Sequence, residues 1–447
     1  MRVLVLGAGV IGTASAWYLA QAGHDVVVVD RQAGAGLETS FANGGQIAVS
    51  HAEPWANPAA PAKILKWLAQ EDAPLLFRLR ADPAQWAWGL RFLVECLPGR
   101  TRDNIAQILN LGVYSSAALQ ALRAETGIRY DHLERGILHF YTSEAEFAGA
   151  HEPARIMREL GIDRQLKTAD ECIAIEPALA HARHRIAGGT FTSTDESGNA
   201  YLFTSELARL GAARGVKFRY GTKIRALIRG VESVEGVRVF SRNRGEEILT
   251  ADAYVVALGS YSPLLLRAIG QSIPVYPAKG YSISVGIGDP ARAPVVSLTD
   301  DEFKLVFSRL GDTLRVAGTA ELSGYNTDID PVRCEAIVRR TAELFPGVGD
   351  LTSARFWAGL RPATPGNVPL IGRSSLTNLY LNTGHGTLGW THACGSGRAL
   401  ADIVSGRVPE VDFRFIGDHT GVGHTIRSKA SSLNISSFPR RDSGTQR

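Results

Sequence analysis

The stretch that decides the fold reads Val3-Leu4-Val5-Leu6-Gly7-Ala8-Gly9-Val10-Ile11-Gly12, followed by Val26-Val27-Val28-Val29-Asp30. Residues 3–6 form a short apolar run ending at glycine, the pattern of a strand buried on both faces. Gly7 permits a tight turn, Gly9 lets the backbone approach a pyrophosphate, and Gly12 lets the next helix lie close to the strand. The spacing predicts a helix over 13–22, opening with Thr13-Ala14-Ser15-Ala16-Trp17 and stopped by Gly23. Its N-terminus offers N–H groups and the positive end of a dipole to phosphates. Asp30 ends the second strand, where a carboxylate accepts hydrogen bonds from ribose hydroxyls and repels a 2′-phosphate. The glycine motif alone is a weak signal. Two valine-rich strands, a helix and an acid at this distance turn it into a dinucleotide-binding unit. Ala14-Ser15-Ala16 also resembles a leader-cleavage site, but only Arg2 precedes the apolar run, and a leader would leave the glycines and second strand unexplained.

At 447 residues the chain suits two or three domains around a large core. A net charge of +4 is small for this length and the basic residues are scattered, which argues against nucleic acid as a partner. Cys96, Cys172, Cys334 and Cys394 stand far apart, with no Cys and His grouping at metal-ligand spacing. They read as isolated thiols in a reducing compartment, and no metal is expected. Apart from the N-terminal strand, no apolar run approaches the length of a membrane span, so any membrane contact is expected to be peripheral.

Beyond Asp30-Arg31, residues 34–46 read GAGLETSFANGGQ, a small and polar loop fit for close backbone approach to the middle of a cofactor. Ser40, Asn43, Gly44 and Gln46 are its candidates. Residues 61–127 look helical, with Ile64, Leu65 and Leu68, then Trp86, Leu90, Phe92 and Leu93, then Ile105, Ile108, Leu109 and Leu111 on packed faces. Trp67, Trp86 and Trp88 are expected to anchor the core. A strand over 136–142, a helix over 144–160, a strand over 188–193, a turn at 195–199 and a helix over 203–214 follow. Residues 216–228 read as one or two strands, and 253–260 as a buried strand ending in small residues, Gly259 among them. Strands over 276–285, 295–299, 304–308 and 313–317 suggest a largely antiparallel sheet, and 331–345 an amphipathic helix.

The last informative block holds Gly359-Leu360-Arg361-Pro362, Pro365-Gly366-Asn367, a strand over 379–382, and Gly384-His385-Gly386-Thr387-Leu388-Gly389-Trp390 opening a helix to 405. A second glycine-rich strand-to-helix turn is a second anion-accepting helix N-terminus.

The glycine fingerprint with Asp30-Arg31, the ETSFANGGQ loop, GLRPATP at 359–365 and NTGHGTLGW at 382–390 together resemble the bacterial D-amino acid dehydrogenases, of the D-amino acid oxidase and glycine oxidase superfamily. The resemblance runs to about residue 411. It implies an α/β fold: a Rossmann-like FAD-binding domain, discontinuous over 1–60, 186–262 and 354–411, and a mostly antiparallel-sheet substrate domain with a helical insertion, over 61–185 and 263–353. The tail 412–447, rich in Gly, Ser and Arg, is expected to be disordered. The implied activity is oxidative deamination of D-amino acids, D-alanine above all, to 2-oxo acids and ammonia. Electrons pass from FAD to a respiratory quinone or carrier, met at the cytoplasmic face of the inner membrane. Arg361 matches the position that clamps the substrate carboxylate, a task suited to a guanidinium fork. Tyr281, or else Tyr276, could hydrogen-bond the same carboxylate, His385 could donate to the flavin, and the last helix could stabilise charge on its reduced ring. The family's Pro-Asp-Gly turn is replaced by Pro365-Gly366-Asn367. Two alternatives stand beside this: a glycine, sarcosine or proline oxidase passing electrons to oxygen, and a nonenzymatic dinucleotide-binding module.

Overall fold

The computed structural model describes residues 1–67 and 75–417, and the side chains of 65–67 are not among those described. Strand β1 (Arg2–Leu6) pairs in parallel with β2 (Asp25–Val29), Leu6 opposite Val29. Both are buried on two faces, which is why they read as unbroken apolar runs. Successive side chains alternate across the sheet: Val3 and Val5 enter one core, Leu4 and Leu6 another. The sheet has six strands in the order 370–373, 379–383, 253–256, β1, β2, 217–219, parallel except for the hairpin at 370–383. The antiparallel strands Thr222–Arg229, Val234–Ser241 and Gly245–Leu249 cover one face, burying Leu227, Val237 and Val239 against Leu4 and Leu6. Helices cover the other.

Helix α1 (Val10–Gln21) begins three residues before the predicted start, because Gly9 takes the N-cap with extended backbone and its carbonyl accepts from Thr13 N at 2.9 Å. A methyl group at Gly12 would lie 1.9 Å from the Gly7 carbonyl oxygen, so only glycine lets α1 sit this close to the turn. The last helix, Gly389–Val404, crosses α1 at a similarly bare point, where a Cβ on Gly397 would lie 2.8 Å from the Ala14 backbone.

Between the two halves of the nucleotide fold the chain inserts helices α2 (Ala60–Trp67), α3 (Pro83–Glu95) and α4 (Pro98–Thr126). By length and composition α4 could cross a membrane, contrary to the expectation that no such run exists beyond the first strand. Its Leu111, Leu119 and Leu122 instead join the α1 core, and a Cβ on Gly395 of the last helix would lie 2.7 Å from Ser115. The face expected to pack on α3 is also revised. Trp88 and Phe92 are buried, but Trp86, Leu90 and Leu93 are exposed, at 54%, 66% and 51%. Leu68 and the side chains of Leu65 and Trp67 lie outside the described residues.

A second sheet has nine strands, running 355–363, 276–286, 313–322, 305–310, 297–300, 137–141, 188–192, 164–168, with 75–77 paired to 313–322. It is antiparallel except where 297–300 meets 137–141 and 313–322 meets 75–77. Helix Pro331–Leu344 packs beneath it, setting Ile337 and Leu344 against Ile283, Val285 and Val316. Strands Gly188–Thr192 and Arg355–Ala363, expected in the nucleotide domain, pair within this second sheet. The two sheets share one unit, residues 1–417. Residues 412–417, expected to begin a loose tail, are tied down: Phe413 is buried in the α1 core and Ile416 N donates to Ile371 O at 2.9 Å. Residues 418–447 lie outside the described residues.

Candidate active site

A cavity of about 1070 Å³ runs from the β1–α1 turn to the face of the nine-stranded sheet opposite helix Pro331–Leu344, where Thr299, Val306 and Ala317 line it. Gly7, Ala8, Gly9, Val10 and Ile11 line one end. Gly7 has φ +107°, and a Cβ there would lie 2.5 Å from the Ala257 carbonyl oxygen, so the turn requires glycine. Gly9 would meet only the Ser40 hydroxyl, at 3.6 Å, and its face is open to the cavity. Asp30 accepts from Ala8 N at 2.7 Å and Gln32 N at 2.8 Å, which ties the end of β2 to the glycine turn. Burial raises its pKa against those bonds. The Ser40 hydroxyl accepts from Val10 N at 3.0 Å, bringing the 34–46 loop onto the start of α1. Arg31 stacks over Tyr261, 4.2 Å from the ring centroid, and pairs with Glu38 at 2.5 Å.

Asn43, Gly44 and Gln46 line the middle of the cavity, with Gly259 near the nucleotide end. Gln46 reaches Ser297 and Thr299 at 3.1 Å, bridging the loop to the second sheet. His385, Gly386, Thr387 and Leu388 line the cavity at the foot of the last helix. His385 Nε2 bonds Ser396 Oγ at 2.9 Å, while its buried Nδ1 has no partner; burial holds its pKa well below the usual histidine value, so the ring is neutral. Asn382 donates to Ser15 at 2.9 Å and leaves its carbonyl oxygen buried and unpaired. Orphaned polar atoms beside a bare glycine turn are what an absent polar cofactor would satisfy. The cavity therefore fits a dinucleotide. Val3, Leu4, Val5, Leu6, Gly12, Thr13, Ala14, Ser15, Ala16 and Trp17 lie behind this wall, in β1 and α1, where they build the cradle. Gly384, at φ +85°, makes the turn into the last helix but is not on the cavity wall.

Arg361 stands on strand Arg355–Ala363 opposite Ala278. Its guanidinium lies over Gly280, two residues further along that paired strand: a Cβ on Gly280 would lie 2.1 Å from Nη1. Nη1 donates to the Thr319 carbonyl at 2.8 Å, and among the described residues no carboxylate pairs with Arg361. Burial, then the nearby Arg333 charge, lowers its pKa to about 10. Thr319 has φ +52°, a strained value for a β-branched residue. It occupies a bulge: Lys279 faces Glu321 and Tyr281 faces Gly318, so three steps of one strand oppose two of the other.

Tyr281 lines the cavity, but its hydroxyl donates to Glu321 at 2.6 Å, and Glu321 also takes Lys279 at 3.4 Å. A phenol has one proton to give, so the expected bond to a substrate carboxylate is not available in this arrangement. Tyr276 is buried and donates to Asp82 at 2.9 Å, away from the cavity wall. Gly280, Thr319 and Asn382 were not anticipated as site residues. Gly280 and Thr319 face the site through strand pairing and a bulge that no local motif announces. Asn382 lay in plain view as the first residue of NTGHGTLGW.

The expected turn at 195–199 is also more than a turn. Asp195 is buried and accepts from Val49 N at 2.9 Å, Ser50 N at 3.2 Å and the Ser50 hydroxyl, fixing the segment that carries His51 and Glu53 onto the cavity. Residues 196–197 pair with 46–47.

Residues 2–403 match the model of the family described as FAD dependent oxidoreductase. The D-amino acid dehydrogenase of Dechloromonas aromatica (strain RCB) is 61% identical over 416 residues, covering 93% of this chain and 100% of that protein. The D-amino acid dehydrogenase of Paramagnetospirillum magneticum (strain ATCC 700264 / AMB-1) is 55% identical over 418 residues, covering 93% and 98%. Among solved structures, glycine oxidase from Bacillus cereus ATCC 14579 superposes with a TM-score of 0.68 at 23% identity, covering 91% of this chain and 95% of that one, which shows the shared fold.

Proposed function

This chain belongs to the FAD-dependent oxidoreductases, among the D-amino acid dehydrogenases, and from that membership we propose that it oxidatively deaminates D-amino acids, D-alanine above all, to 2-oxo acids and ammonia. The observation that carries the substrate reading is Arg361: a guanidinium on the wall of the cavity, lowered in pKa by burial and by a second arginine, with no carboxylate among the described residues paired to it. Such a charge is costly until an anion joins it. The α-carboxylate of an amino acid is that anion, and a guanidinium can hold it by two parallel bonds. One Nη1 proton is committed to the Thr319 carbonyl, which sets the direction of the fork.

FAD, when bound, would supply a two-electron acceptor for hydride from the substrate Cα. Everything else falls to the chain. Gly7, Gly9 and the start of α1 would hold the pyrophosphate, Asp30 the ribose, and the foot of the last helix, with His385, the far end of the cofactor. Arg361 orients the substrate, Tyr281 contributes a ring wall held by Glu321, and Gln46 and Asn43 shape the face between them. The protein's contribution is positioning and electrostatics. Electrons then leave for a respiratory quinone or carrier instead of oxygen, a reading supported by the dehydrogenase relatives.

Anaerobic titration of the purified yellow protein tests both parts. D-Alanine should bleach the flavin while L-alanine leaves it oxidised, and the reduced protein should react faster with a quinone than with air. Equal bleaching by glycine or sarcosine, with stoichiometric peroxide on admission of air, would instead establish the oxidase. Flavin unaffected by any amino acid would favour a binding module.

A further inference from the structure

We propose that the outer face of α3 is a docking surface for an anionic phospholipid membrane, set against the wall of the active-site cavity. Trp86, Leu90, Leu93 and Leu97 follow at helical spacing on one side of α3 and its C-terminal extension, with Val94 beside them and Leu79 just before the helix. All six are exposed, between 49% and 66%. The opposite side carries Gln85, Trp88 and Phe92, all buried. A surface helix that packs one apolar side and turns a second apolar stripe outward has the wrong polarity for water and the right one for a lipid interface, where a tryptophan is especially favoured.

Charge selects the occupant. Between residues 79 and 102 the exposed charged residues are Arg80, Arg91, Arg100 and Arg102, all positive, and a single exposed acid, Asp103, follows at the far end. The two acids in that span turn inward: Asp82 caps α3 at Ala84 N and accepts from Tyr276, and Glu95 accepts from Asn104. A leucine stripe whose rim carries four exposed arginines against one exposed acid matches a surface of acyl chains under anionic headgroups. A protein partner would have to supply both an apolar groove and its own acids.

The placement also has a consequence for turnover. Phe92, on the buried side of α3, lines the cavity, as do Trp55, Ile64 and Leu75 of the neighbouring segments. One helix, about 10 Å across, thus separates the cavity from the apolar face. An electron acceptor dissolved in the bilayer would be delivered beside the site that reduces it. This last step rests on the quinone reading above; the docking itself does not.

The test is flotation of the FAD-loaded protein with vesicles of phosphatidylcholine alone or mixed with phosphatidylglycerol. The wild type should partition to the mixed vesicles about ten-fold more strongly than to neutral ones, and L90E/L93E should lower that binding about ten-fold or more. R91E/R100E, which leaves the apolar stripe intact, should abolish the preference for anionic lipid. Both variants should keep full D-alanine activity with a soluble dye, while L90E/L93E should lose about nine-tenths of its turnover with ubiquinone embedded in vesicles. No vesicle binding by the wild type, or undiminished binding by L90E/L93E, would overturn the proposal. So would a wild-type dimer that L90E/L93E converts to a monomer, since the face would then belong to a second copy. Loss of dye-linked activity in the wild type would count against the substrate reading and leave the docking result standing.

Discussion

Arg361 and the residues under it concentrate the chemistry of the site. Replacing Arg361 with alanine should leave flavin bound and lower kcat/KM for D-alanine by roughly 30-fold to several thousand-fold, or about 2–5 kcal/mol for the loss of a buried charge partner. Steady-state assays with an artificial acceptor measure this, and near-normal kcat/KM would remove Arg361 from the clamp. Gly280 offers a subtler probe. An alanine methyl would fall 2.1 Å from the guanidinium, which is the mobile end of a long side chain, so Gly280→Ala should fold and hold FAD while displacing Arg361. Because carboxylate binding is shared by ground and transition states, KM should rise about 10-fold to 100-fold with a much smaller change in kcat. A fall in kcat at constant KM would mean that Gly280 serves something other than the clamp.

Among the elements, α1 and the last helix form the contact on which the cofactor cradle depends. A Cβ on Gly397 would lie 2.8–2.9 Å from the Ala14 and Ser15 backbone, and backbone cannot yield as a side chain can. Gly397→Val should therefore push α1 away, destabilise the fold by about 1–3 kcal/mol, and weaken FAD binding at the glycine turn one helical turn away. Thermal unfolding together with the flavin content of the purified variant tests this; full flavin occupancy at wild-type Tm would show that the helices part without disturbing the glycine turn. Helix α3 follows a different logic. Both of its sides carry large apolar residues, and packing determines which one the protein buries: the side carrying Trp88, whose Nε1 donates to the Ala363 carbonyl at 2.8 Å.

For the whole molecule, buried titratable groups set the pH range of stability. Burial lowers His51 and His392 to about 4, so the folded protein binds fewer protons than the unfolded chain between about 4 and 6.5. Their stabilising contribution is present above about 6.5 and lost as pH falls toward about 4. Asp195 works in the opposite sense, because burial raises it to about 6 and the folded state gains relative stability as pH falls through that value. Two histidines against one aspartate leave a net loss of about 1.4 kcal/mol per pH unit between about 6 and 4. His139 and His385, also lowered, add to the loss, while Asp30 and Asp300, also raised by burial, offset part of it. The holoprotein should melt several degrees lower at pH 5 than at pH 7, and His392→Asn should flatten the slope of stability against pH in that window. A Tm that rises on acidification would mean that the aspartate term dominates.

Local order along the chain determined the βαβ cradle, because the demands on Gly7, Gly9, Gly12 and Asp30 are met within thirty residues and each has a distinct steric or charge signature. The strands of the second sheet and the glycine-rich foot of the last helix were legible for the same reason. Arg361 stood out through a motif shared with a family, not through its surroundings. Its surroundings came only with tertiary structure: Gly280 seats the guanidinium because strands 276–286 and 355–363 pair in one particular register, and Thr319 reaches it through a bulge in a third strand. Register and bulges depend on residues far apart in the chain, so Tyr281 could be placed on the wall but not seen to spend its proton on Glu321, forty residues away. The outward stripe of α3 was hidden likewise, since hydrophobic period reveals that a helix has an apolar face but not whether the fold covers it.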